Sequence, residues 1–538
     1  MAGRWRGVVL EGLTVRAVDS RPWLRELALG LLVTVALAYS TMFTAITAPN
    51  ERSRIYLAVS LVDHGTIEIT QAIQRFGPIL DEAEHGGKYY SDKAPGSSLL
   101  VALVYGPLRL FTSAEAWTID ELLLLTRRGL MVPLGVAGFF ALRLLMRRIG
   151  ITQTIADVVS LGWILGSAAF HYSTALYGHQ IVGVSLVLSL LCLIEAEARL
   201  GQSWPLVTAL SLGAGASAGL AGLTEYQSGI PALFLALYAA FGPLGRSIYG
   251  LAAFVAGALP FLVALGVYNT IAFGGPLELS YHHLINSGLE SIHSQGIGGV
   301  TLPSSESFRG GILSLHRGLL PTSPMFVFVL PGVWAMFRRG YTRLGVLLGA
   351  TTLFFLLFIS SSNMWFAGWS FGPRLLVPGM GLMALLVAAG AQHFARYAVV
   401  EPILRGTVIA GVVCHQLVHA FFPEPPHDAK NPLLDVVAVL FRANLVAPNL
   451  FTASGWAHGL WSLLVLAAVV SAILLFVLFT PLRVRRLWVR AAIVAASLCL
   501  VALLFVAVRL AGPTGTPENQ AGMVRFVSDL LAQEPARL

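Results

Sequence analysis

The sequence predicts an all-α polytopic membrane protein of about thirteen transmembrane helices, on three observations. Hydrophobic residues make up 56% of the 538 residues and charged residues only 12%, with a mean hydropathy of +0.75. Soluble domains of this length do not reach that balance. Apolar runs of about 20 residues, the length that crosses a bilayer, recur from Leu27 to Leu510. The basic residues between these runs also fall into an order that fixes which breaks share a side.

Taken in order, the expected spans are 24–46, 128–146, 154–172, 180–198, 204–222, 228–242, 248–272, 322–337, 344–360, 374–392, 404–422, 457–479 and 490–511. Arg4, Arg6, Arg16, Arg21 and Arg25 precede the first run, which places the N-terminus in the cytoplasm. That run is too long for a signal-peptide core and is read as a retained span. The stretch 94–111 is apolar but contains Pro95, Gly96 and Pro107. Crossing the bilayer there would send Arg143, Arg147 and Arg148 outside, so it is expected to be a helix at the outer interface. Arg199, Arg246, Arg338, Arg339, Arg343, Arg396, Arg405, Arg483, Arg485, Arg486 and Arg490 then all face inward. The C-terminus falls outside, with the polar breaks 47–93, 273–321, 361–373 and 423–456.

Two segments follow from this layout. Residues 1–400 form the expected catalytic membrane module with a first outer loop at 47–127. Residues 401–538 carry the last helices, the outer loop 423–456 and a short outer tail. The net charge of +8 reflects loop arginines that orient helices, so no nucleic-acid partner is expected; the lipid bilayer is. Cys192, Cys414 and Cys499 lie in apolar runs without metal-ligand spacing, which indicates neither a disulfide framework nor a zinc site. No cofactor is indicated.

Ionisable residues gather in the outer breaks. Glu51 directly follows the first span in a Pro-Asn-Glu start suited to a helix N-terminus, with Arg54 one turn on. The plain alternative is a surface pair closing a helix. Asp81 and Glu84 offer carboxylates for an acceptor or a divalent ion, or simply a solvated loop face. Glu225, after Thr224 at an outer helix end, reads as a cap. His179 and His316 have no partners at metal spacing.

Asn50-Glu51-Arg52-Ser53-Arg54 and Tyr89-Tyr90-Ser91-Asp92-Lys93-Ala94-Pro95-Gly96 resemble motifs of the GT-C superfamily of polyprenyl-phosphate-sugar-dependent glycosyltransferases. The branch is that of the protein O-mannosyltransferases and the lipid A aminoarabinose transferases. Tyr172-Ser173-Thr174, Gly178-His179, Phe273-Gly274-Gly275-Pro276, Arg317-Gly318-Leu319 and Trp369-Ser370-Phe371-Gly372-Pro373-Arg374 extend the likeness to about residue 395. The resemblance implies a GT-C-like fold and transfer, with inversion, of a sugar from a polyprenyl monophosphate to an unidentified lipid, glycan or protein acceptor, on the outer face of a bacterial inner membrane. In that reading Glu51, or Asn50 in its register, holds the acidic position, with Asp81 as the second catalytic carboxylate. Arg54, Lys93, Arg374 and Arg317 meet the donor phosphate, and Tyr89, Tyr90, His179 and Trp369 contact substrate.

The chemistry suits these residue types. Displacing a phosphate calls for cations at the leaving oxygen and a carboxylate for the proton of the incoming hydroxyl. Lys93 beside an interfacial helix is also what a snorkelling lysine looks like, and Arg374 what a lipid anchor looks like. The aromatic residues equally suit an interfacial belt. A transporter or flippase is the alternative function, against which the spans are almost free of ionisable residues. A scaffold for envelope-polymer assembly has no need of the Lys-x-Pro segment, and a ligase moving a whole glycan from a lipid pyrophosphate is the nearest enzymatic rival.

Overall fold

The apolar runs fold into a bundle of helices whose polar residues separate to its two ends. The computed structural model describes residues 22–43, 49–480 and 487–533; Arg4, Arg6, Arg16, Arg21, Arg483, Arg485 and Arg486 lie outside them. Among the described residues nine helices are long and apolar enough to cross a membrane: Ile119–Arg148, Gly178–Ala198, Trp204–Thr224, Ile248–Phe273, Thr342–Ser361, Arg374–Phe394, Val400–Phe421, Gly459–Phe479 and Leu487–Ala511. The chain is a multi-pass membrane protein. Helices also form in the other four expected spans, at Pro22–Tyr39, Gln153–Leu165, Gly229–Ala240 and Pro324–Arg338, but the last three are short. Thirteen residues rise only about 20 Å and a hydrocarbon core needs about 30 Å. The stretch 94–111 contains the helix Gly96–Arg109, which is not among the nine.

The expected span 154–172 is interrupted. Its helix stops at Leu165, where Gly162 and Gly166 lie against the Val400–Phe421 helix: a Cβ on Gly166 would sit 2.9 Å from the Val412 nitrogen. Residues 166–177 continue as buried, mostly irregular chain with one helical turn, Ala169–Tyr172. Irregular backbone at this depth is tolerated where protein surrounds it, and here it carries His171, Tyr172 and Tyr177 to one end of the bundle. Glycines set another close crossing, between Trp204–Thr224 and Ile248–Phe273. A Cβ on Gly257 would meet the Leu212 carbonyl carbon at 2.9 Å, the small-residue contact by which membrane helices approach. One apolar core built on Trp163, Phe139, Phe170 and Phe355 also takes in Leu404, Val408 and Val477 from the last spans.

At one end Arg143 pairs with Glu26 at 2.8 Å and with Asp157, Arg148 with Glu195, Arg343 with Glu197 and Arg405 with Glu401 at 2.7 Å. At the other end the four long polar breaks meet. The Glu84 N–H donates to His283 O at 2.8 Å, Ser280 Oγ to Asp92 O at 2.6 Å, Thr301 N to Ser361 O at 2.8 Å and Tyr177 OH to Glu424 Oε1 at 3.2 Å. These loops therefore share one end, as the charge pattern predicts.

The first of these breaks holds a two-stranded antiparallel hairpin, Glu82–His85 with Lys88–Ser91. Gly86 and Gly87 have φ of 61° and 76°, as a two-residue hairpin turn with positive φ at both centres requires. The register Glu82↔Ser91 brings Asp81 and Asp92, the residues just beyond each strand, to the same place.

The tail is latched down. Asp435 accepts from the N–H groups of Thr514 at 2.7 Å and Gly515 at 3.1 Å, and Asn431 Nδ2 donates to Gly512 O at 2.8 Å. The following helix, Pro517–Gln533, seats Val527 among Phe422, Val436 and Leu440. Asp435→Ala is expected to strand these donors at about 1–3 kcal/mol. Limited proteolysis of detergent-purified protein should then cut after residue 512 several-fold faster, with the spans intact.

Candidate functional site

The helix Pro49–Val59 carries Glu51 and Arg54 at the loop end of the bundle. Both are buried, but they do not pair with each other. Arg127 grips Glu51 with Nε at 3.0 Å and Nη2 at 2.6 Å, and the Leu176 N–H donates to it at 2.6 Å. Arg127 reaches it from a π-type turn, Arg127–Met131, within the Ile119–Arg148 helix. Burial alone would raise the Glu51 pKa, but Arg127 and the Leu176 N–H outweigh it and hold the carboxyl below its ordinary range.

Arg54 is equally committed. Its Nη2 donates to Glu225 at 2.9 Å, its Nε to Ser97 at 3.1 Å, and its Nη1 to Asn50 O at 3.0 Å and to Asn50 Oδ1. The expected Glu51–Arg54 pair on one helix face is thus corrected to two separate pairs, each reaching a residue far along the chain. Sequence spacing shows which residues share a face; it does not show what packs there.

Glu225, read from the sequence as a cap, stands at the centre of a network. It accepts from Arg54 and lies 3.2 Å from His179 Nδ1. The Arg374 Nε in turn donates to His179 Nε2 at 3.1 Å. Burial would raise the Glu225 pKa, but His179, Arg54 and Arg374 together bring it down to about 2. Two glycines make room for it. A Cβ on Gly178 would fall 2.9 Å from Glu225 Cδ, and one on Gly96 2.8 Å from the Thr224 Cα.

Beside this network the hairpin delivers a second one. Lys93 Nζ lies 2.6 Å from Asp92 and 3.0 Å from Asp81. Burial would lower the Lys93 pKa, but Asp81 and Asp92 carry it above its usual range. The two carboxylates part company. Asp92 is fully buried and accepts from Ser53 at 3.2 Å; burial and the Asp81 charge raise its pKa against Lys93. Asp81 is partly open, and although burial would raise it, Lys93, Arg374 and Arg54 keep it low.

Arg374 and Arg317 differ from the other two cations: among the described residues neither pairs with a carboxylate. Arg374 lies over the Tyr177 ring, 4.6 Å from its centroid, with Nη1 on Ala367 O at 3.2 Å. Arg317 is buried, its Nη1 donating to Gly368 O at 2.6 Å and Ser370 Oγ at 3.1 Å, while its Nη2 has no partner. Burial, with the Arg374 charge, pulls the Arg317 pKa down to about 10. Two guanidiniums without a carboxylate partner have the chemistry by which an anion could be held.

The aromatic expectations fare differently. Tyr90 is buried against Phe273 at 5.8 Å and belongs to the packing around Tyr56, Leu57 and Ile69, with Tyr89 at its margin. Alternation along a hairpin strand sends Tyr90 to the core face, so it presents no platform to a substrate. Trp369 is about a third exposed and meets Phe526 of the tail helix at 6.0 Å. His316 is tied to Ser370 O at 2.7 Å. Besides Glu225 and Asp92, sequence reasoning did not single out Tyr177 and Glu424, which close the wall behind Arg374; a Tyr in an apolar run and a lone acid in a loop carry no signal of their own.

No protein-family model and no curated protein matches the chain. The structure aligns with solved structures of other proteins. ArnT from Cupriavidus metallidurans, bound to undecaprenyl phosphate, aligns over 96% of this chain and 80% of that one, with 14% identity and a TM-score of 0.49. Archaeal oligosaccharyltransferase AglB from Archaeoglobus fulgidus, in complex with an inhibitory peptide and a dolichol-phosphate, aligns over 78% of this chain and 58% of that one, with 11% identity and a TM-score of 0.45. Identities of this size set no residue correspondence, so the roles of the site residues are argued from their own geometry.

Proposed function

We propose that the chain is a membrane glycosyltransferase that moves a sugar from a polyprenyl monophosphate to a hydroxyl of its acceptor. The observation that carries this reading is the buried Arg317 and the part-buried Arg374, neither on a carboxylate, with Arg374 within electrostatic reach of a partly open Asp81. The donor's phosphate oxygens take the unpartnered Arg317 Nη2 and the free edge of Arg374. Both guanidiniums then stabilise the charge that grows on the leaving phosphate. Asp81, held by Lys93, accepts the proton of the incoming hydroxyl. One attack and one displacement invert the anomeric carbon. No step calls on a metal or a cofactor.

The loop end that holds the site faces the outside of a bacterial inner membrane in this reading, with the N-terminus in the cytoplasm and the tail outside. The opposite end gathers Arg143, Arg148, Arg343 and Arg405, as positive charges on a cytoplasmic face do. Lys93 and Arg54, each already matched by carboxylates, serve to hold the site rather than to bind phosphate directly.

Purified protein in nanodiscs, given a radiolabelled sugar on undecaprenyl monophosphate and an extract of envelope acceptors, should release undecaprenyl phosphate. Arg317→Ala and Arg374→Ala should each lower donor use at least about tenfold, since charge-assisted bonds contribute roughly 1.5–3 kcal/mol. Movement of the intact lipid across the bilayer without cleavage would establish a flippase instead.

A further inference from the structure

We propose that His179 and Glu225 are positioning residues that aim Arg374 at its anion without neutralising it; this rests on the reading of Arg374 as a phosphate ligand. The hydrogen-bond directions are set by chemistry. A guanidinium N–H only donates, so His179 Nε2, 3.1 Å from Arg374 Nε, supplies a lone pair. Its proton is then on Nδ1, which donates to Glu225 Oε1 at 3.2 Å. Glu225 also accepts from Arg54 Nη2 at 2.9 Å. The result is one directed chain, Arg374 to His179 to Glu225, with Arg54 closing it from the far side.

A carboxylate in the place of His179 would pair with Arg374 and compete with phosphate. A neutral imidazole fixes the guanidinium plane and leaves its charge available. The Ala367 carbonyl on Nη1 and the Tyr177 ring beneath complete the clamp, so the remaining edge of Arg374 has one direction in which to bind. Glu225 holds the imidazole in the required tautomer, as an outer carboxylate does for a ligating histidine. Arg54 in turn fixes Glu225, and Gly178 and Gly96 leave the space in which it sits. His179, Glu225 and Arg54 therefore act through Arg374 and touch no reacting atom.

The test compares the full-length chain with His179→Ala, His179→Gln and Glu225→Gln in detergent, measuring equilibrium binding of undecaprenyl phosphate, transfer kinetics and thermal unfolding. Glutamine at 179 keeps an acceptor for Arg374 and a donor for Glu225. His179→Ala should weaken undecaprenyl phosphate binding about tenfold and raise KM for the donor in proportion, with kcat changed less than about threefold. His179→Gln should recover most of that loss at the same unfolding temperature. Wild-type protein that binds undecaprenyl phosphate no better than His179→Ala overturns this inference alone. Wild-type protein that binds none overturns the donor reading, and the inference with it. Should His179→Ala not fold, Glu225→Gln decides the matter: it is expected to weaken binding several-fold, and unchanged binding overturns the proposal.

Discussion

Glu51→Gln is expected to cost about 3–5 kcal/mol of stability, the penalty for removing one partner of a buried ion pair. Arg127 would keep its charge in a buried site, with Thr41 O at 3.1 Å and Phe43 O as its remaining fixed acceptors. Unfolding in mixed micelles measures the loss. Replacing Arg127 by Met as well should return part of it, because the double variant leaves no unpaired charge. The dependence on pH has a definite sign. The folded pKa of Glu51 is depressed below 4.5, so the stabilisation is fully present above that value. It is lost as pH falls through the folded pKa, and Glu51→Gln should abolish that part of the acid sensitivity. A catalytic base behaves otherwise: Gln in its place would leave unfolding nearly unchanged and stop turnover of the folded protein.

What the sequence made legible was set by composition and charge. Apolar runs located the helices, and the arginines sorted the loops, because both signals are sums over many residues. The tight turn at Gly86-Gly87 was also open to reading, since two adjacent glycines between strand-like residues are a hairpin signal, yet the surrounding charges drew it into a loop. The interruption after Leu165 left no such trace. Residues 166–177 are mostly small, apolar or aromatic like any span, and the close approach of the Val400–Phe421 backbone to Gly166 shows only in the fold.

The pairing of charges was the least legible part. Glu51 stands three residues from Arg54, and local spacing joined them; the fold instead gives Arg127 to the one and Glu225 to the other, partners 76 and 171 positions away. Helix-face rules describe neighbours on one exposed surface. Once both residues are buried, the partner is whichever charge the neighbouring helix delivers. The four cations chosen from the sequence do gather at one end, but only the structure divides them into two held by carboxylates and two that are not.

Asp81→Asn is expected to slow transfer by about 100-fold or more while undecaprenyl phosphate binding stays within about threefold, since an amide oxygen no longer takes the acceptor proton. Of the carboxylates at this end, both oxygens of Glu51 are occupied by Arg127, and Glu225 is held by Arg54 and His179. Asp92 is fully buried between Lys93 and Ser53. Asp81 binds Lys93 through Oδ2 and is partly open, which leaves it a face for an incoming hydroxyl. Its depressed pKa keeps it ionised, and therefore competent as a base, throughout the neutral range. Asp92→Asn is the matched control. Lys93 keeps Asp81 as a carboxylate partner when Asp92 is an amide, so this change should leave most of the turnover. Rate and binding measured on the same samples separate the two residues. Full turnover by Asp81→Asn would exclude it as the base and move the assignment to Asp92, the other carboxylate on Lys93.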